Sequence, residues 1–230
     1  METFTGFFAP TDVAVDSQGN VFICESGKHR ILKWDGLNAP ALFAGSADGK
    51  PGRQDGIGSS ARFDYPCGIA VDKAGNVFVA DNANASIREI SAEGEVTTVI
   101  CPDRTESKSK EDNVSCPWDV AVDDFGNLFI ADGDALKFFR GDFTVRLKDY
   151  AHSPFSLVAE KSGVFVVSYE DGAVTHVSAA GLTQDLVKKN DLFAHPNGIA
   201  LAPDGKTLFV SDIASVPVNG QGAIRKIALN

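Results

Sequence analysis

One motif occurs five times along this chain and constrains its fold more than any other feature. It reads Pro-x-Asp-Val-Ala-Val-Asp-x-x-Gly-Asn-Val-Phe-Ile at 10–23 and recurs with small changes at 66–79 and 117–130. A degenerate copy starts at residue 154 and a last copy at residue 196. Self-similarity at roughly 40–50 residues per unit is typical of a β-propeller, in which each repeat forms one four-stranded sheet, or blade. The repeat therefore predicts an all-β chain.

Each unit contains a pattern of four short strands, which is clearest in the second unit. Gly68–Asp72 is an apolar run, as expected for an innermost strand, and Val77–Ala80 follows a tight turn in which residues 75–76 supply two positive φ angles. Ser86–Ile90 alternates apolar and polar residues, and Val96–Ile100 is rich in β-branched residues. These two segments are the predicted outer strands of the blade.

The fifth unit ends after its third predicted strand, Ala223–Leu229. Glu2–Phe8 also has strand character but belongs to none of the five units. A propeller avoids an exposed sheet edge when one terminus completes the blade that the other began. We therefore expect residues 1–230 to form one propeller domain of five four-stranded blades, with the N-terminal strand closing the last blade. The blades start near residues 10, 66, 117, 154 and 196, and a six-bladed propeller is the alternative.

Composition narrows the range of partners. The chain has 21 basic and 31 acidic residues, a net charge of −10, and no cluster of Lys and Arg of the kind that binds a phosphate backbone, so we do not expect nucleic acid as a partner. No apolar run is long enough to span a membrane and no signal peptide is visible, so we expect a soluble, acidic protein of unassigned compartment. Cys101 and Cys116 flank a charged stretch and could form a disulfide in an oxidising compartment.

The chain resembles the NHL-repeat family. The resemblance covers most of the chain and is strongest at residues 44–46, 55–63, 66–72 and 79–90. It implies a propeller that presents its loops and the mouth of its channel to a partner, and it hardly specifies an activity. The fifth unit, at 195–212, is also similar to the gluconolactonase and strictosidine-synthase-like propellers, through its Pro-Asn-Gly sequence.

The second resemblance raises the possibility of a metal site. In the metal-dependent lactonases, the asparagine of Pro-Asn-Gly binds a divalent cation, and Asn197 matches that position. Hard cations such as Ca²⁺ need several carboxylate or carbonyl oxygens, whereas the residues after the other four repeat prolines are Thr11, Cys67, Trp118 and Phe155. Asp12 and Asp119 come one position later, where strand alternation would turn them away unless the strand start is irregular. We therefore expect no cofactor, and a metal, if bound, would use Asn197, Asp12 and Asp119.

Two other sets of polar residues have a simpler explanation than catalysis. His152 and His195 stand shortly before repeat prolines, but zinc catalysis usually needs three protein ligands, so they are interpreted as polar loop residues. Several aspartates recur at equivalent positions, which favours turn caps over acid–base pairs. They are Asp16, Asp72 and Asp123 after the first strands, and Asp81, Asp132 and Asp212 after the second strands.

The aromatic residues of the repeat starts favour binding over catalysis. Aromatic side chains in a concave site are typical of peptide or small-ligand recognition, although Trp118 and Phe155 could equally fill the mouth of a narrow propeller. We predict a non-enzymatic NHL-type module that recognises a protein, peptide or small ligand at the channel mouth. Its candidate residues are Thr11, Cys67, Trp118, Phe155 and Asn197. The alternative is a divalent-metal-dependent lactonase or hydrolase of the gluconolactonase-like type.

Overall fold

Antiparallel β-sheets make up almost all of the regular structure. The computed structural model describes residues 5–101, 113–141, 143–150, 154–188, 193, 195–213 and 222–229. Three short 3₁₀ turns, Ser26–Lys28, Gly58–Ser60 and Asn82–Asn84, are the helical segments of this described part. The chain divides into two units, residues 1–120 and 121–230.

The first unit holds two complete sheets. The first sheet runs in the order β1-β2-β3-β4, formed by Pro10–Val15, Val21–Glu25, Arg30–Trp34 and Ala41–Gly45. The second sheet has the order β5-β9-β8-β7-β6, in which β5 is Gly56–Ile57, β6 is Pro66–Val71, β7 is Val77–Asp81, β8 is Ser86–Ile90 and β9 is Glu95–Ile100. The short strand β5 pairs with the outer strand β9 and was not predicted, because two residues are too few to show a period.

Three further sheets follow. The third, β10 to β13, begins at the boundary of the two units and is formed by Pro117–Val122, Leu128–Asp132, Ala135–Arg140 and Phe143–Asp149. The fourth, β14 to β17, is formed by Pro154–Glu160, Gly163–Ser168, Ala173–Ser178 and Thr183–Val187. The fifth has three strands in the described part of the chain, β18 to β20, which are Pro196–Leu201, Thr207–Asp212 and Ala223–Ala228.

The predicted fold class is confirmed: the chain is all-β, and its five antiparallel sheets are the blades of a five-bladed β-propeller. Pro10, Pro66, Pro117, Pro154 and Pro196 are the first residues of the five innermost strands, as the repeat predicted. The strand predicted at Glu2–Phe8 lies partly outside the described residues, and its described part, residues 5–8, forms no strand. That a single domain spans 1–230 stays a prediction.

Aspartates cap the turns between first and second strands. Asp72 Oδ1 accepts hydrogen bonds from the N–H groups of Ala74 and Asn76 at 2.8 and 2.9 Å, and Asp72 Oδ2 accepts one from Asn76 Nδ2. Asp16 and Asp123 make the equivalent contacts, which confirms their predicted role. Gly75 has a φ of +90°, but Asn76 does not have a positive φ, so the predicted pair of positive angles is wrong. The side-chain cap makes the second one unnecessary.

The aspartates after the second strands bind both backbone and basic side chains. Asp81 accepts a hydrogen bond from the Asp64 N–H at 2.7 Å and pairs with Arg88 at 2.7 Å. Asp212 accepts one from the His195 N–H and pairs with Arg225, and Asp132 pairs with Lys137 at 2.8 Å. The turn cap predicted for Asp81 is wrong, because Asp81 makes no side-chain cap hydrogen bond in its own 3₁₀ turn and the amide that it binds lies 17 residues earlier in the chain, as does the amide that Asp212 binds. The ion pairs to the third strand were not predicted.

Each unit buries its own apolar residues. The cluster in the first unit includes Phe22, Cys24, Ile31, Phe63 and Val79. Cys24 is fully buried among them, as expected for a cysteine that acts as a small hydrophobic residue. The second unit has two clusters, one around Phe129, Leu136 and Val166 and the other around Phe165, Val174 and Leu208.

Candidate functional site

The residue after the repeat proline lies at an irregular point of the innermost strand. Pairing between the first two strands of a blade shifts register between Pro10 and Asp12 and between Pro66 and Ile69. It shifts again after Pro154 and after Pro196. Such β-bulges change the direction of side chains next to functional sites. The candidate residues Thr11, Cys67, Phe155 and Asn197 therefore lie at bulge positions.

In the first unit, the candidate residues Thr11 and Cys67 take part in hydrogen bonds between neighbouring sheets. The exposed Thr11 donates a hydrogen bond from Oγ1 to the Cys67 carbonyl at 2.8 Å, and it lies 2.7 Å from Ser26 Oγ. Ser26 also donates a hydrogen bond to the Pro66 carbonyl. These bonds connect the start of β1 and the end of β2 to the start of β6. Thr11 and Cys67 therefore hold two sheets together. The third candidate residue of this unit, Trp118, is half-buried at the start of β10.

The Cys67 thiol is poorly suited to act as a nucleophile. Burial raises the pKa of Cys67 to about 12, and neighbouring Cys116, Asp119, Asp81 and Asp12 add to the effect. A thiol with such a pKa stays protonated at neutral pH, and the thiolate is the reactive form. The possible disulfide between Cys101 and Cys116 is not formed.

Asp12 and Asp119 bind backbone groups. Asp12 Oδ2 accepts a hydrogen bond from the Ile69 N–H at 2.9 Å, and its Oδ1 accepts one from the Val13 N–H at 2.8 Å. Burial raises the pKa of Asp12 to about 6, although both N–H groups lower it. Asp119 Oδ1 accepts a hydrogen bond from the Val120 N–H at 2.7 Å. No group of three or more His, Cys, Asp and Glu side chains within the described residues is arranged to hold a metal ion.

Asp119 also explains why the second repeat has a glycine, Gly68, at the position where the first and third repeats have an aspartate. A methyl group on Gly68 would lie 2.3 Å from Asp119 Oδ1 and 2.5 Å from its Cα. Atoms that are not bonded cannot approach so closely, so only glycine fits beside this aspartate. Strand alternation alone predicted that Asp12 and Asp119 point away from a ligand position. The Asp12 carboxylate joins β1 to β6 through the Ile69 N–H, and the Asp119 carboxylate binds the N–H of the next residue.

In the second unit, three aromatic rings lie together at one end of the fourth and fifth sheets. The rings of Phe155 and Tyr169 are 5.5 Å apart, and those of Tyr169 and His195 are stacked at 4.9 Å and 23°. All three side chains are half-buried, so each keeps some exposed surface. We call these residues, together with Asn197, the aromatic patch.

Asn197 and His195 complete this end of β18. Asn197 Oδ1 accepts a hydrogen bond from Ser211 Oγ at 2.8 Å, which fixes the side chain amide. His195 Nδ1 is buried and has no hydrogen-bond partner within the described residues, while its backbone N–H binds Asp212. His195, interpreted from the sequence as a polar loop residue, is therefore part of an aromatic stack. His152 lies outside the described residues.

Tyr169 is the member of the patch that the sequence analysis missed. It is the first residue after the second strand of its blade, a position held in the other blades by Ser26, Asn82, Gly133 and Ile213. This position contacts the repeat starts elsewhere too, since Ser26 binds Thr11 and Asn82 Nδ2 donates to the Pro117 carbonyl at 2.9 Å. Aligning the five units at this second position would have identified Tyr169 as the one aromatic residue there.

Comparisons with known proteins agree with this architecture. The NHL repeat model matches residues 9–34 and 63–90, which lie in the first two blades. The chain is 29% identical over 225 residues to NHL repeat-containing protein 2 of Homo sapiens, covering 91% of this chain and 29% of the relative. It is 25% identical to peptidyl-glycine alpha-amidating monooxygenase A of Xenopus laevis, covering 90% of this chain and 24% of that protein. The chain thus spans less than a third of these relatives.

The solved structure of a streptogramin B lyase has the same type of fold. It superposes with a TM-score of 0.64 at 14% identity, covering 96% of this chain and 68% of the lyase. The chain is thus a β-propeller. The resemblance to the NHL-repeat family that the sequence indicated is confirmed, because the NHL repeat model matches the first two blades and NHL repeat-containing protein 2 is similar over most of this chain. No helix in the described ranges is long and apolar enough to cross a membrane.

Proposed function

We propose that this chain is a non-enzymatic binding module that recognises a protein, peptide or small ligand at the repeat starts, and that the aromatic patch is its main contact surface. The observation that supports the proposal is the stack of Phe155, Tyr169 and His195, at 5.5 and 4.9 Å, beside an amide held by Ser211. Half-buried aromatic rings present apolar faces with little side-chain freedom left to lose, which is typical of binding hot spots.

A peptide is the ligand class with most support. Planar rings beside a fixed amide suit a peptide, because the rings take an apolar side chain and the amide can bond its backbone. The name of peptidyl-glycine alpha-amidating monooxygenase A identifies a peptide as the substrate of that relative. The divalent-metal lactonase or hydrolase has less support, because Asn197 already accepts a hydrogen bond and both oxygens of Asp12 bind backbone N–H groups.

The test compares two aromatic truncations in the same unit. Tyr169→Ala removes the central ring of the patch, whereas Phe125→Ala removes a ring that is 79% exposed on a hairpin turn of the third blade. Immobilised protein and both variants are used to capture partners from an extract, with quantitative mass spectrometry. Each partner is then purified and its affinity measured. Loss of a hot-spot ring lowers affinity about 30-fold or more.

We expect Tyr169→Ala to lose specific partners that Phe125→Ala retains, with a melting temperature within a few degrees of the parent protein. Equal capture by both variants would overturn the assignment of the patch. A large loss of thermal stability in Tyr169→Ala would show instead that the ring serves packing. In that case Asn197→Ala provides the second measurement, and unchanged partner affinity in that variant would also count against the proposal.

A further inference from the structure

The fifth sheet has an outer edge to which no strand is paired within the described residues. The other four blades each have an outer strand beside their third strand, whereas β20 pairs with β19 alone. Residues 223–226 of β20 are exposed, and Ile224 is 70% exposed. An edge strand of this kind presents a row of N–H and C=O groups with which an extended chain can pair. This edge shares no residue with the aromatic patch, so what it binds is independent of the proposed function.

A cleft of about 440 Å³ lies beside this edge, between the fourth and fifth sheets. Ile227 and Leu229 line it from the fifth blade, and Leu186 lines it from β17, the outer strand of the fourth blade. Phe165, a buried member of the cluster between these two sheets, also lines it. Both sheets therefore offer apolar side chains to a group that enters the cleft, and burial of an apolar group there would be favourable.

The second blade shows what fills the equivalent position. Its Ile90 pairs with Val77 on one side and with Val96 of the outer strand β9 on the other, and in the fifth blade Ile227 pairs with Leu208 in the same way as Ile90 with Val77. Val96 is fully buried and belongs to the cluster between the first two sheets. The cleft beside Ile227 therefore corresponds to the position of Val96, where an outer strand places an apolar residue.

The basic residues of β20 indicate which strand the edge would accept. Arg225 and Lys226 are adjacent and exposed. If two copies of β20 paired antiparallel along their full length, Arg225 of one copy would lie opposite Lys226 of the other, and like charges directly opposite each other are destabilising. Lysine on an edge strand is one of the features that prevent such pairing between copies. A strand with an acidic residue opposite Lys226 would instead form a favourable cross-strand pair.

We propose that the free edge of β20 binds an extended peptide segment of a partner protein, which becomes the fourth strand of the fifth blade. The segment pairs antiparallel with β20, places an apolar residue opposite Ile227 in the cleft, and places an acidic residue opposite Lys226. Main-chain hydrogen bonds supply affinity and alternate side chains supply specificity in this mode of recognition. Residues 5–8, the described part of the segment that was expected to close this blade, form no strand.

The test uses the peptide acetyl-Val-Thr-Val-Glu-Thr-Thr-amide, whose second valine lies opposite Ile227 when its glutamate lies opposite Lys226. Affinity is measured by NMR titration, and hydrogen exchange of the β20 amides is followed with and without peptide. We expect millimolar or tighter binding, with slower exchange of the β20 amides that face away from β19. A peptide with glycine in place of the second valine should bind at least about tenfold more weakly, because nothing apolar enters the cleft. No binding of the first peptide, or equal affinity of the two, would overturn the proposal.

Two charge reversals locate the peptide. Lys226→Glu changes an exposed residue and should weaken binding about fivefold, while a peptide with lysine in place of glutamate should bind this variant more tightly than the parent protein. Lys50→Glu makes the same change on a side chain that is 78% exposed in the first unit and should leave both affinities unchanged. Equal affinities in the two variants would refute the site. Tyr169→Ala, the variant that tests the aromatic patch, should bind the peptide as the parent protein does.

Two results would assign the edge to another occupant and overturn the proposal. Slow exchange of the outward-facing β20 amides in the protein without peptide would show that the chain itself supplies the fourth strand. A concentration-dependent dimer, measured by light scattering and dissociated by the peptide, would show that a second copy occupies the edge.

Discussion

Replacing Arg88 by methionine should destabilise the protein more than the loss of any exposed ion pair. The guanidinium is fully buried, pairs with Asp81 at 2.7 Å and Asp55 at 2.6 Å, and donates to the carbonyls of Arg62 and Gln54. Arg88→Met leaves Asp81, itself fully buried, without its cation. Removing one partner of a buried ion pair costs about 3–5 kcal/mol. In a chain of this size that corresponds to a fall in melting temperature of about 6–20 °C.

The matched control is Arg146→Met. Arg146 pairs with Asp134 at 3.0 Å, but its side chain is 35% exposed and that of its partner 71%, so its loss should cost no more than about 1 kcal/mol. Urea unfolding, followed by circular dichroism and by fluorescence of the two tryptophans, gives both free energies. In the double variant Arg88→Met/Asp81→Asn, part of the loss should return because the unpaired negative charge is gone. If Arg88→Met costs no more than Arg146→Met, the argument from burial is refuted.

Two further predictions concern Asp12 and Asn197. Burial raises the pKa of Asp12 to about 6, so the folded state holds this proton more tightly than the unfolded chain does. Ionisation of Asp12 therefore lowers the free energy of unfolding by about 3 kcal/mol. This loss is absent below about pH 4 and complete above about pH 6. The free energy of unfolding of Asp12→Asn, measured relative to the parent protein, should therefore improve by about 1 kcal/mol between pH 5 and pH 7, and a flat difference would contradict the assignment. Because the Asn197 amide oxygen already accepts a hydrogen bond from Ser211, millimolar Ca²⁺ or Zn²⁺ should not raise the melting temperature. A rise that is lost in Asn197→Ala would instead support the alternative function, a metal-dependent hydrolase.

Most of the fold was predictable because two features of the sequence, the repeated motif and the alternation of apolar and polar residues, indicate the same strands. Ser86–Ile90 has the bounds that alternation predicted, and the other strands predicted in the second and fifth blades differ by one or two residues at their ends. The strand predicted at Glu2–Phe8 is the exception, because residues 5–8 form no strand. The short strand β5 was not predictable, because it depends on pairing with β9, which is distant in the sequence, and periodicity does not contain that information. The Asp72 cap was predicted, but not that it would make a second positive φ at Asn76 unnecessary.

The repeat predicted where the strand starts lie, but it did not predict what the side chains at these starts contact. The repeat keeps the proline and the apolar strand that follows, and the residue between them lies at a bulge where regular pairing is interrupted. Backbone pairing therefore constrains this one position less than its neighbours, so its side chain can differ from blade to blade. What each side chain does depends on the residue after the second strand: Ser26 binds Thr11, whereas Tyr169 stacks on Phe155 and His195. The side chains exposed at the repeat starts are thus arranged in pairs of positions, one at each strand end, and a single column of the aligned repeats shows only half of each pair.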